Sequence, residues 1–108
     1  MSASKLISGT VIELGGLKYV VPPFNFDLLE RYSAVIFNEE SASQGEKVKM
    51  SFQLCIDSIA RNYPDIDVNY LKKELDIVNV AAIIAAVSQT SGLVSSVDEV
   101  EKKQEAQA

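Results

Sequence analysis

The sequence predicts an α+β fold that is mainly helical, in which an N-terminal β-hairpin is followed by about four helices. Two β-like runs flank Gly15-Gly16, the pair Pro22-Pro23 follows the second run, and apolar residues then recur at helical spacing. A chain of 108 residues is the size of a single domain. We therefore expect one domain over residues 1–93 and a flexible tail over residues 94–108.

The hairpin is predicted over residues 5–22. Gly15-Gly16 can adopt the positive φ angles that a tight hairpin turn requires. Ile12 and Leu14 lie two residues apart and therefore share one face of the first strand. Because an isolated hairpin is only marginally stable in water, one face should pack on helices. Pro22-Pro23 ends the second strand, since proline has no amide hydrogen for the ladder.

The helix boundaries follow from polar residues that cap a helix N-terminus and from residues that stop a helix. Asn25 is a capping candidate for the first helix and Asp67 for the third. Either Asp76 or Asn79 can cap the fourth. Pro64 ends the second helix, because proline disfavours helical geometry at the residue before it. Helices are predicted over about 26–37, 46–62, 68–75 and 79–90.

The fourth predicted helix is apolar on nearly every side from Val80 to Val87. A helix of this kind is usually buried at the centre of a fold or covered by a partner. Gly92 is a natural stop after it. Residues 94–108 are charged and show no sustained apolar stripe, so they are expected to form a frayed, solvated helix or a disordered tail.

The residue types that catalysis or metal binding would need are missing or isolated. The chain has no histidine, and its single cysteine, Cys55, lies in a helical stripe where a small core residue is expected. Asp65 and Asp67 fit turn and capping roles. Gly15-Gly16 sits between strands, where no phosphate-binding loop forms. We therefore expect no enzyme activity, no catalytic residue, no cofactor and no metal.

Charge and hydropathy restrict the partners and the location. The formal net charge is −5, and an acidic surface repels the phosphate backbone of nucleic acids. The longest apolar run, from Val78 to Val87, is interrupted by Asn79 and is too short to span a bilayer. No apolar segment of a secretory signal follows the first residues. We expect a cytoplasmic protein that binds neither nucleic acid nor membrane.

The order of these signals resembles the tail assembly chaperones of long-tailed bacteriophages. The matching segments are Gly16 to Glu30, which contains the double proline, and Arg61-Asn62-Tyr63-Pro64-Asp65-Ile66, which is followed by two leucines. Ser91-Gly92-Leu93 fits the same pattern. The resemblance covers roughly residues 9–93.

The resemblance implies a non-enzymatic protein that acts during tail morphogenesis in the host cell cytoplasm and is absent from the mature virion. Such chaperones bind and solubilise the tape measure protein and help to recruit tail tube subunits, in many phages through a longer form made by ribosomal frameshifting. This chain would correspond to the short form. Its apolar fourth helix and an aromatic group are the candidates for a binding groove. The candidate partner-binding residues are Phe24, Phe26, Phe37, Tyr63 and Leu93, of which Phe24 and Leu93 are expected to be exposed.

Two other readings fit the sequence less well. A small structural virion protein, such as a head–tail connector or a tail-completion protein, would also lack catalytic residues. A helix–turn–helix within residues 46–90 would fit a small nucleic-acid-binding regulator, but the acidic charge of the chain argues against this function. The apolar fourth helix in a chain with a small core also predicts a homo-oligomer.

Overall fold

A computed structural model describes residues 6–93 and confirms the α+β class: an antiparallel two-stranded hairpin precedes the helices. The predicted tail, residues 94–108, lies outside the described residues. The elements are β1 (Thr10–Leu14), β2 (Leu17–Val21), α1 (Phe26–Arg31), α2 (Ser33–Ile36), α3 (Gln44–Ala60), α4 (Val68–Glu74) and α5 (Ile77–Thr90).

The hairpin forms as its glycines and its alternation predict. Gly15 and Gly16 have φ angles of 57° and 80° and form the turn. Ile12 pairs with Tyr19, and both side chains are buried, whereas Val11 points to solvent. The strands are shorter than the predicted hairpin, since β1 begins only at Thr10.

The first predicted helix, 26–37, is broken into two at Tyr32, where φ is −120° and ψ is 26°. Neither proline nor glycine is present there to signal the break. The Tyr32 side chain is buried against α3, and its hydroxyl donates a hydrogen bond to Asp57 at 2.5 Å. The break thus lies where a contact between helices fixes the chain, and local sequence does not encode such a contact.

Capping residues move two other helix starts by two residues from the predicted positions. α3 begins at Gln44 because Ser43 caps it and Glu46 returns a hydrogen bond to the Ser43 amide. These bonds hold the pKa of Glu46 below its usual value. Of the two candidates for the last helix, Asp76 is the cap, so α5 begins at Ile77.

α3 lies at the centre of the fold and contacts β2, α2 and α5. The segment of α1 and α2 runs antiparallel to it, as three polar contacts show. Lys47 near the start of α3 donates to Asn38, Asp57 in its last turn accepts from Tyr32, and Arg61 just after its end donates to the Pro23 carbonyl. The core combines residues of both strands and most of the helices: Ile12, Leu14, Tyr19, Val21, Phe24, Leu28, Leu54, Ile59, Leu71, Val80, Ile83 and Val87.

Candidate functional site

One face of α5 is exposed although it is apolar. Val80, Ile83 and Val87 face the core, but Ile77 and Val78 are 70% and 79% exposed. Ala81, Ala82 and Ala85 continue this face, and it carries no charged residue. Of the two alternatives expected for this helix, burial at the centre of the fold does not hold for this side, and cover by a partner stays a prediction. A surface of this kind is unusual on a monomer and marks an interaction site when it is contiguous.

The exposed face of α5 borders an open groove, which we call the α3–α5 groove. Its cavity volume is about 130 Å³. Its walls are Val48, Ser51 and Phe52 of α3 and Ile77, Val80, Ala81 and Ile84 of α5.

The α3 wall belongs to a helical stripe that extends past the core. Val48, Phe52, Cys55 and Ile59 follow one another at helical spacing. Cys55 and Ile59 are buried, Phe52 is half-buried, and Val48 is 42% exposed. The apolar side of α3 is therefore buried at Cys55 and Ile59, in the second half of the helix, and is exposed to solvent at Val48, beside the groove. A second apolar element could extend the same packing surface.

Two lysines flank Val48 in the sequence of α3. Successive helical residues are turned by roughly 100°, so Lys47 and Lys49 project on either side of Val48. Among the described residues Lys47 makes only a hydrogen bond, from its Nζ to the Asn38 side chain at 3.3 Å, and neither lysine forms an ion pair there. Glu46 lies in the first turn of α3 and Asp76 caps α5, so charges of both signs lie at this end of the two helices.

Phe24 and Leu93 were expected to be exposed, and for Phe24 this is wrong because it is only 8% exposed. The Phe24 amide donates to the Ser91 hydroxyl at 2.9 Å, and that hydroxyl donates to the Val87 carbonyl at 2.6 Å. These bonds attach the segment after the double proline to the end of α5. Leu93 is partly buried against the core. Neither residue lies at the α3–α5 groove.

Tyr63 is half-buried and supports the hairpin. Its hydroxyl accepts a hydrogen bond from the Val20 amide at 2.9 Å, and its ring meets that of Tyr19 edge-on at 5.2 Å. Asn62 donates to the Val20 carbonyl at 2.8 Å. The segment of Asn62 and Tyr63 thus joins the end of α3 to β2.

Phe26 and Phe37 are the two candidate residues that do face solvent, with exposed fractions of 73% and 52%. They lie at the two ends of the α1–α2 segment. The five predicted residues therefore do not form one surface. Phe24, Tyr63 and Leu93 pack toward the interior, whereas Phe26 and Phe37 stay outside.

The groove residues Val48, Ile77 and Ala81 were not among the predicted site residues. A signal for them was present, because the last helix is apolar on more sides than a small core can cover. The stripe on α3 also extends to Val48, beyond the buried Cys55. The sequence does not show which part of each apolar stripe the other elements leave exposed to solvent.

The chemical groups near the groove do not suggest a reaction. Cys55 is buried behind it, and desolvation raises the pKa of its thiol to about 12, so the thiol stays protonated at neutral pH. Within residues 6–93 there is no cluster of three or more His, Cys, Asp or Glu side chains that could hold a metal ion. Over the same range no helix is both long and apolar enough to cross a membrane.

Comparison of the chain with protein-family models, curated proteins and solved structures finds no significant match. The function is therefore argued from the α3–α5 groove and the exposed face of α5.

Proposed function

We propose that this protein is a non-enzymatic binding protein that shields an apolar helical segment of another polypeptide in the α3–α5 groove. Its most specific form is a bacteriophage tail assembly chaperone that binds the tape measure protein. The observation that carries the proposal is the charge-free, exposed face of α5 beside an open apolar groove. A helix can lay its own apolar face into such a groove.

The position of the groove between two helices and the net charge of the chain support a helical ligand. The groove lies between two helices, so a third helix can extend the packing of Val48 and Phe52 on one side and of Ile77 on the other. The net charge of −5 keeps the remaining surface well hydrated while a partner is held. These are the two properties that a chaperone of an aggregation-prone helical protein requires.

The narrower assignment rests on the resemblance of residues 9–93 to the tail assembly chaperones. In that role the protein would act in the host cytoplasm, help to recruit tail tube subunits and be absent from the finished virion. The described structure gives the segments behind the resemblance a supporting role, since Arg61 and Asn62 connect α3 to Pro23 and Val20. The ligand would be held elsewhere, on α3 and α5.

Co-expression with the tape measure protein encoded in the same genome tests the proposal. The soluble fraction of that protein should increase several-fold in the presence of the wild-type chain. Ala81→Glu places a carboxylate in the groove and should remove the gain. Val11→Glu is the matched control, because Val11 is an exposed apolar residue of β1 and does not line the groove.

An unchanged soluble fraction with the wild-type chain would contradict the chaperone role. Mass spectrometry of purified virions adds an independent test. A chaperone should be missing from the particles, whereas a connector or tail-completion protein would be present in every one.

A further inference from the structure

We infer that the outer edge of β1, together with the side of α5 next to it, binds an extended basic segment of a partner protein as a third, antiparallel strand of the sheet. This surface is separate from the α3–α5 groove, and the inference goes beyond the proposed function. It starts from a difference between the two edges of the hairpin. Within residues 6–93 the edge of β2 is closed by side chains, whereas the edge of β1 is open.

The outer edge of β2 is closed by the segment that follows α3. In a hairpin of this kind every second pair of residues directs its amide and carbonyl away from the partner strand. Val20 belongs to such a pair, because its amide donates to the Tyr63 hydroxyl and its carbonyl accepts from Asn62. Asn62 also bonds both backbone groups of Ile7, so the residues just before β1 turn toward β2 and do not cover the edge of β1.

The outer edge of β1 presents backbone groups without a partner. Val11 is the ladder partner of Val20, so its amide and carbonyl also point outward, and the same holds for Glu13 two residues later. Among residues 6–93 neither of these two residues forms a backbone hydrogen bond beyond the hairpin, and both are exposed. An open edge of this kind pairs with an extended segment of another chain.

An apolar side of α5 lies next to this open edge. The Thr10 hydroxyl donates to the Ala86 carbonyl at 3.5 Å, so β1 meets α5 at Ala86. Ala82 and Val78 precede Ala86 at intervals of four residues and share its side of the helix; we call these three residues the α5 row. Ala82 is exposed, and Val78 is 79% exposed.

The α5 row faces away from α3 and is wide enough for another strand. Ile84 faces α3 in the groove and is turned by roughly 200° from Ala86, so the groove and the α5 row lie on different sides of α5. Strands are spaced about 4.8 Å apart, whereas a helix with its side chains is about 10 Å wide. β1 therefore covers only part of α5, and one more strand can lie over the α5 row.

The two faces of an added strand specify the occupant. Its side chains alternate between the faces, and those on the inner face contact the α5 row and must be apolar. Those on the outer face lie beside Glu13, whose carboxylate makes no ion pair within residues 6–93, although Lys18 is its ladder partner. The chain as a whole has a net charge of −5. Basic residues at every second position therefore complement the outer face.

Two other occupants match this surface less well. A second copy that paired through its own β1 would bring together two chains of net charge −5, and β1 contains no basic residue to place beside Glu13. The segment 94–108 of the same chain has valines at every third position, Val94, Val97 and Val100, instead of every second, and carries acidic residues between them. The alternating basic segment of a partner is the occupant that satisfies both faces.

Nuclear magnetic resonance of the full chain with synthetic peptides tests the inference. One peptide, Lys-Val-Lys-Val-Lys-Val-Lys, alternates as required, and a second has the same composition in the order Val-Val-Val-Lys-Lys-Lys-Lys. The alternating peptide should slow hydrogen exchange at the amides of Val11 and Glu13 by about tenfold or more, because these amides enter a ladder. The block peptide has the same charge and should bind roughly tenfold more weakly.

Methylated peptides test the backbone pairing itself. In an antiparallel pairing the lysines of the alternating peptide lie opposite Val11 and Glu13 and exchange hydrogen bonds with them. Methyl groups on the lysine amides should therefore abolish binding. Methyl groups on the valine amides are the matched control, because those amides point away from β1, and they should leave the affinity within about twofold.

Variants at Glu13 test the charge and the edge separately. Glu13→Pro removes one outward amide and no ladder bond, a change that an edge position tolerates, and it should weaken the alternating peptide by about tenfold. Glu13→Lys keeps the amide. It should bind the alternating peptide more weakly than the wild type does, and Glu-Val-Glu-Val-Glu-Val-Glu more tightly. Circular dichroism checks that both variants are folded.

Unchanged exchange at Val11 and Glu13, equal affinities of the alternating and block peptides, or full binding by both methylated peptides would each overturn the inference. Slow exchange at these amides without peptide that increases with protein concentration would assign the edge to a second copy and overturn it as well. The Val11→Glu control for the groove keeps the backbone groups of Val11. The peptides and the tape measure protein therefore test the two surfaces independently.

Discussion

Asn62 and Ile7 exchange two hydrogen bonds across 55 residues of chain: the Ile7 amide donates to Asn62 Oδ1 at 2.7 Å, and Asn62 Nδ2 donates to the Ile7 carbonyl at 2.9 Å. Nδ2 also donates to the Val20 carbonyl at 2.8 Å. One side chain at the end of α3 thus holds the segment before β1 and the end of β2. No regularity in the sequence singles out Asn62 for this role.

Asn62→Asp should destabilise the protein, because the carboxylate has the same shape but cannot donate to either carbonyl. The free energy of unfolding should fall by about 1–3 kcal/mol. Urea denaturation measures it, with the slope of the transition unchanged. Asn69→Asp on the exposed surface of α4 is the control and should stay within about 0.5 kcal/mol of the wild type. Equal stabilities of the two variants would contradict the bridging role of Asn62.

Gly9→Ala should destabilise the protein because a Cβ at this position would overlap the carbonyl oxygen of Val21 and the Cα of Pro22. The neighbouring atoms belong to the backbone of Val21 and Pro22, at the end of β2, and cannot move away without disturbing the hairpin. We expect a loss of roughly 2 kcal/mol or more. The matched change Gly45→Ala, in the first turn of α3, meets no atom within 4 Å and should stabilise the protein by about 0.5–1 kcal/mol. Thermal denaturation of both variants should show shifts of opposite sign.

Ser58→Ala should raise the stability. The Ser58 side chain is 1% exposed, and its hydroxyl has no hydrogen-bond partner among the described residues. Removing an unpaired buried hydroxyl should increase the free energy of unfolding by about 1 kcal/mol. Ser51 is the comparison, since its hydroxyl donates to the Lys47 carbonyl at 2.7 Å, and Ser51→Ala should change stability by no more than about 0.5 kcal/mol. A destabilised Ser58→Ala variant would show that the hydroxyl is satisfied in solution.

Tyr32 makes the stability sensitive to alkaline pH. Burial, and then the hydrogen bond to Asp57, raise the pKa of Tyr32 to about 12 from an ordinary value of 10.0. Because the folded state holds this proton more tightly, the stabilisation is complete below about pH 10 and is lost as the pH rises toward 12. Tyr32→Phe has no proton to lose. Its free energy of unfolding, measured in urea between pH 9 and 12, should therefore fall less steeply than that of the wild type. Parallel curves would contradict this assignment.

Much of the local structure could be predicted because it depends on neighbouring residues. Gly15 and Gly16 form the hairpin turn, Asn25 and Asp67 cap their helices, and the second predicted helix ends before Pro64. The predicted start of α3 was wrong by two residues. Several polar residues precede this helix, and the capping box of Ser43 and Glu46 decides which of them is the cap. The break at Tyr32 was missed because its cause lies on another helix.

The candidate site was predicted less well than the fold. The apolar last helix, which was singled out as a candidate for a groove, lines the α3–α5 groove. The chosen aromatic residues divide into buried ones such as Phe24 and exposed ones such as Phe26. All of them are large and apolar, and this property alone does not distinguish a core residue from a binding residue. Val48 and Ile77 were missed for the same reason.

The sequence by itself determined the α+β class, the hairpin turn and the order of the helices, because turns, caps and apolar periodicity act over a few residues. Only the tertiary structure decided that Phe24 is covered by the end of α5, sixty-seven residues away at Ser91, and that α5 keeps one apolar side in solvent. Burial depends on which elements meet, and the small core within residues 6–93 does not have enough surface to cover every apolar face of the helices there.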